Sequence, residues 1–74
     1  MPPSDLHAQL LEAHARGETK ELAGLYEAAA DQAQTEEARG FFLTQAFVFA
    51  LDAGTARAAI LRQKLVELGR EDLR

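Results

Sequence analysis

Apolar and polar positions recur with a helical period along the first, second and fourth of the segments that turn residues mark off in this chain, and the third is apolar almost throughout. Ser4 followed by Asp5 is a helix-start signature after a short Pro2-Pro3 lead-in. The first helix then runs to about Arg16, with Leu6, Leu10 and Ala13 on one side and Leu11 beside them. Gly17 is placed to close it in a left-handed conformation, with Arg16 at the negative end of the helix dipole. Thr19 reads as the cap of a second helix, whose apolar face is Leu22, Leu25, Tyr26, Ala29 and Ala33. Lys20, Glu21, Glu27, Asp31 and Gln34 form its solvated side, and Gly24 reads as a close-approach packing position.

Between Gln32 and Ala38 there is neither glycine nor proline, but Thr35 followed by Glu36-Glu37 is a capping signature with acids in the first turn. Without a break the second and third helices would fuse into a rod roughly 50 Å long. Such a rod could not fold back to bury its own apolar residues, so a turn is expected near Ala33–Thr35. The third helix, about 36–53, holds all four phenylalanines and is apolar on nearly every side. Phe42, Ala46, Phe49 and Ala53 make one stripe, Leu43, Phe47 and Ala50 a second, Phe41 and Val48 a third. A helix of this kind has to be covered from several directions, which makes it the centre of the fold. Gly40 inside it reads as another close-approach position. Gly54 ends it, Thr55 reads as the cap of a fourth helix over about Ala56–Leu68, and Ala58, Leu61, Leu65 and Leu68 form that helix's inward stripe, with Ile60 and Val66 at its margins. Gly69 closes it before a charged tail, residues 70–74. The expected fold is all-α: one domain, 1–74, of four short antiparallel helices arranged as two helical hairpins.

The helix–glycine–helix arrangement occurs twice, with Gly17 and Gly54 offset by 37 residues. The segment from Leu22 onward resembles the tetratricopeptide repeat. Leu22, Gly24, Tyr26, Ala28 and Ala29 look like that family's first helix, and Ala38, Phe42, Ala46 and Ala50 like its second. The match covers about half the chain. It departs from the pattern in the Tyr26–Ala38 spacing, about three residues too long, in the Phe42–Ala46 spacing, one too long, and in having no closing proline. The resemblance implies stacked antiparallel hairpins and, for the family, peptide binding on a concave face. This chain has room for one full unit with a half-unit on each side.

Length and charge narrow the functional classes. Seventy-four residues without cysteine exclude a disulfide framework and thiolate metal sites, and leave a core near the lower limit for independent folding. The apolar run in the third helix is about 11 residues, against roughly 20 needed to span a bilayer. With no basic, apolar leader pattern at its start, the chain reads as a cytoplasmic protein without membrane association. The net charge of −4 divides unevenly: residues 1–37 carry −6 and residues 38–74 carry +2.

Candidate chemistry is sparse. His7 and His14 are seven residues apart, about 10 Å along a helix, which is too far to share a metal ion. Both are expected to flank the inner stripe and make ordinary hydrogen bonds. Glu36 and Glu37 point about 100° apart and serve as capping charge rather than a catalytic pair. No nucleophile motif or phosphate loop occurs, and Ser4 is the only serine. The sequence therefore implies no enzyme activity, cofactor or metal. Arg57, Arg62 and Lys64, on the outer side of the fourth helix, are the candidate anion-binding residues of a nucleic-acid-associated or regulatory protein. The acidic balance, Glu67 among the bases and the lack of interleaved aromatics weigh against that alternative. The leading expectation is a protein-interaction module, with a homodimer as one form of it. Three small helices rich in leucine and alanine do not cover four phenylalanines, and the uncovered strip is expected among Tyr26, Phe41, Phe47 and Val48.

Overall fold

A computed structural model describes residues 5–69. The Ser4 cap, the Pro2-Pro3 lead-in and the 70–74 tail lie outside the described residues. Four helices follow in order, α1 (Asp5–Arg16), α2 (Thr19–Gln32), α3 (Glu36–Ala53) and α4 (Arg57–Leu68), with no strand among the described residues.

The glycine turns repeat one geometry. Gly17 and Gly54 take φ of +67° and +70°, a region that residues with a Cβ avoid. After α1, the amide of Glu18 donates to the Ala13 carbonyl and that of Gly17 to His14, both at 3.1 Å. After α3, Thr55 donates to Ala50 at 3.1 Å and Gly54 to Leu51 at 3.0 Å. Each is a 6→1 bond enclosing a 5→2 bond, the Schellman closure that satisfies carbonyls a helix end leaves free. The 37-residue echo in the sequence is thus a repeated turn. The α2–α3 boundary works without glycine. Ala33 turns extended (φ −65°, ψ 142°), and the Thr35 side chain accepts from the Ala38 amide at 3.0 Å.

Two caps differ from expectation. Thr19 is the first residue of α2 rather than its cap. Glu18 holds the cap position with no side-chain bond, because the chain restarts directly from the closure of α1. Thr55 does not cap α4 with its hydroxyl, which turns back to the Ala50 carbonyl at 3.4 Å; Ala56 precedes α4 with a helical backbone and no side-chain cap.

The helices pack in chain order. α3 lies against both α2 and α4, with α2–α3 the most extensive pairing, and α1 packs along α2. The Cα extents are 41 × 28 × 14 Å, a flattened body. The core contains no fully buried phenylalanine. Ala23 and Ala30 of α2, Leu43, Ala46 and Ala50 of α3, and Ala58, Leu61 and Leu65 of α4 form it. Tyr26, Phe42, Phe47, Phe49 and Leu68 close over its margins, half-buried. Small side chains let the backbones approach, so the large rings are displaced to the edges. Gly24 plays no part in that approach: it is exposed, and a Cβ there would meet nothing within 4 Å. Gly40, by contrast, is buried inside α3.

Candidate functional site

α3 has two unlike faces. Leu43, Ala46 and Ala50 point into the core. On the opposite side, Phe41, Val48 and Leu51 are 58%, 50% and 56% exposed. At about 100° per residue, Val48 falls nearly in line with Phe41, and Thr44 and Leu51 lie beside that line, so the four make one outer stripe. Its only polar member is internally satisfied: the Thr44 hydroxyl donates to the Gly40 carbonyl at 2.8 Å. Glu37 and Asp52, both exposed, stand at its two ends. The Phe41 ring meets Phe42 edge-on, with centroids 5.5 Å apart, which tethers it to the half-buried margin of the core.

Phe41 and Val48 therefore lie uncovered, as the sequence suggested, while Phe47 is half-buried against the core. Leu51 was missed because it sits next to the Asp52-Ala53-Gly54 helix end; its three-residue spacing from Val48 was the available signal. Tyr26 is engaged elsewhere. Its ring stacks on Phe49 (5.6 Å, 7°) and on Phe42 (6.3 Å, 30°), and its hydroxyl shares a 2.9 Å hydrogen bond with His14 Nε2. His14 in turn stands edge-on to Phe49 at 5.7 Å. That cluster fastens α1 and α2 to α3 and gives His14 the ordinary hydrogen bond expected of it. His7 lies apart, exposed, beside an apolar cleft of about 340 Å³ formed with Leu6, Leu10, Ala29 and Phe42.

The basic residues of α4 do not form one outward face. Arg57 and Lys64, expected on the solvent side, converge on Glu27 of α2. Arg57 Nε donates to Oε1 at 2.8 Å, its Nη2 to Oε2, and Lys64 Nζ to Oε2 at 2.8 Å. Glu27 was expected to be solvated and is only 7% exposed. The reason is helical register: Ala23 and Ala30, four before and three after it, are both buried, so Glu27 shares their face. Arg57 and Lys64 bracket the fully buried Leu61 in the same way, and so meet Glu27 across the packed layer. The Arg57 hydrogen bonds hold the Glu27 carboxyl below its ordinary range. Burial works against them, and Lys64 adds to them. Arg57 is correspondingly raised. Arg62 is exposed on α4 and takes no part in this cluster. Two of the three candidate anion-binding cations are thus committed to an internal carboxylate, and the three do not present one phosphate-binding surface.

A second cleft, of about 330 Å³, lies over Leu43 and Leu68 with Asp31, Arg39 and Glu67 at its rim. Its rim charges are of both signs and favour no one ligand class. Among the described residues, no group of three or more His, Asp or Glu side chains converges to hold a metal ion, and no helix is long and apolar enough to cross a membrane. Compared with family models, with curated proteins and with solved structures, the chain finds no match in any of the three.

Proposed function

We propose that this protein is a non-catalytic protein-interaction module whose working surface is the outer face of α3. The observation that carries the reading is the stripe of Phe41, Val48 and Leu51, half or more exposed, with Phe41 and Val48 opposite the packed face of the same helix and Leu51 on its flank. Single exposed apolar residues are ordinary, but three in register on one helix form a contiguous patch, and contiguous patches mark contacts. The internally bonded Thr44 supports the same reading, since covering it strands no donor. The resemblance of Leu22–Ala50 to a tetratricopeptide unit points the same way, towards recognition of protein rather than chemistry.

Selection from a library of helical peptides against the immobilised protein tests this, with Phe41→Asp/Val48→Asp as the counter-target. Peptides that bind the native chain and lose at least about tenfold on the variant support the reading. If no peptide distinguishes the two proteins and the native chain does not self-associate, the outer face of α3 is not an interaction surface.

A further inference from the structure

We infer that α1 is a hinged cover, pinned at its C-terminal end, which swings out about Gly17 while α2–α4 stay folded. Opening it uncovers the rings of Tyr26, Phe42 and Phe49, and nothing in this depends on the outer face of α3. α1 and α4 are the two edge helices, each packed along one neighbour. α4 sinks Ala58, Leu61 and Leu65 into the core, and Arg57 and Lys64 clasp it to Glu27 of α2. α1 fully buries only Ala13, while Leu6 and Leu10 are half-buried and Leu11 is 60% exposed. The main cluster of buried residues takes its members from α2, α3 and α4 and none from α1. Apolar burial is what holds one helix on another, so α1 is the less firmly docked edge.

Among the described residues, the side-chain bonds that leave α1 start from its last turn. His14 Nε2 shares the 2.9 Å hydrogen bond with the Tyr26 hydroxyl, and its ring stands edge-on to Phe49. Arg16 pairs with Glu21 at 2.7 Å, but that pair is exposed and bridges only the turn, so it adds little to docking. His14 is therefore the pin. Leu6 lies eight residues, about 12 Å, along the helix from it. At that end the apolar cleft of about 340 Å³ opens between Leu6 and Leu10 on one side and Ala29, Ala33 and Phe42 on the other. Side chains that line open space lack contacts there, which leaves this half of α1 the easier to lift. The turn offers no resistance: Gly17 is exposed at a φ of +67°, with nothing within 4 Å of where a Cβ would lie. Once detached, a helix of 12 residues melts, because isolated helices shorter than about 12–15 residues are marginal in water. The face it leaves is a continuous ring stack, Tyr26 on Phe49 at 5.6 Å and on Phe42 at 6.3 Å.

Amide hydrogen exchange on the full chain, read residue by residue by NMR over a series of low urea concentrations, tests this. The hydrogen-bonded amides of α1 should be protected at least about tenfold less than those in the middle of α3. Their exchange should also rise less steeply with urea, because a local opening exposes less surface than global unfolding. Tyr26→Phe keeps the ring and removes the hydroxyl that His14 engages. It should speed exchange in α1 by roughly threefold, the worth of one hydrogen bond. Leu65→Val alters a core to which α1 contributes nothing, so it should speed exchange in α3 and α4 and leave α1 as it was. Equal protection and one common urea slope in all four helices overturn the hinge, as does an α4 that opens before α1. Exchange in α1 that Tyr26→Phe leaves unchanged overturns His14 as the pin. Exchange in α1 that Leu65→Val speeds as much as in α3 overturns the independence of its opening.

Discussion

The inner and outer faces of α3 differ in the opposite sense from what side-chain size alone suggests. The inner face is built from Leu43 and two alanines, Ala46 and Ala50. The outer face carries a phenylalanine, a valine and a leucine. In a domain this small, the core is made by helices that approach closely, and alanine permits that approach where phenylalanine obstructs it. Large apolar residues then move to the margins, like Phe42 and Phe49, or to the outside, like Phe41. Hydrophobicity along a sequence thus marks which helix is central without marking which of its faces is.

The sharpest way to break this comparison is to empty the inner side. Leu61 is fully buried against the alanine face, so Leu61→Ala should cost about 2–5 kcal/mol. That is a large part of the stability of a small domain, and urea denaturation should show the midpoint fall steeply.

Next in size is the Glu27 cluster, the polar part of the inner layer. Glu27→Ala should cost roughly 1–3 kcal/mol, less than for a fully enclosed pair, because Arg57 and Lys64 are 48% and 38% exposed and can turn to water. The same cluster sets an acid dependence. The folded carboxyl is lowered from 4.5, so the unfolded chain takes up the proton first. The stabilisation is complete above about pH 5 and is lost as the pH falls from there through the folded value. Thermal melts between pH 7 and pH 3 should show this loss, and Glu27→Gln should remove most of the slope.

A smaller effect of opposite sign is expected at Gly24. Exposed in mid-helix with open space around its missing Cβ, it should gain up to about 1 kcal/mol on Gly24→Ala. A loss there would mean that a neighbour approaches this strip after all.

Helix limits were legible where local chemistry decides them. Thr35 with its two following acids, and Gly17, Gly54 and Gly69 with their positive φ, announce themselves in the sequence. The centrality of α3 was legible from its all-round apolar pattern. Side-chain destinations set by tertiary contact were harder to read. Thr19 and Thr55 are good caps by type, yet Thr55 spends its hydroxyl on the preceding helix and Thr19 falls one residue inside α2. Glu27 reads as solvated by charge and as buried by register, and register prevailed because two cations on α4 stood ready to neutralise it. Tyr26 looked available because nothing local shows that His14, twelve residues earlier, reaches its hydroxyl.

The most direct test of the central claim, that the outer stripe of α3 serves contact rather than folding, is the unfolding free energy of Val48→Ala beside Leu43→Ala. Both should be measured in urea at a protein concentration low enough to keep the chain monomeric. Val48→Ala should change stability by no more than about 0.5 kcal/mol, and Leu43→Ala should cost about 2–5 kcal/mol. Equal losses at the two positions would place Val48 in the core and contradict the account.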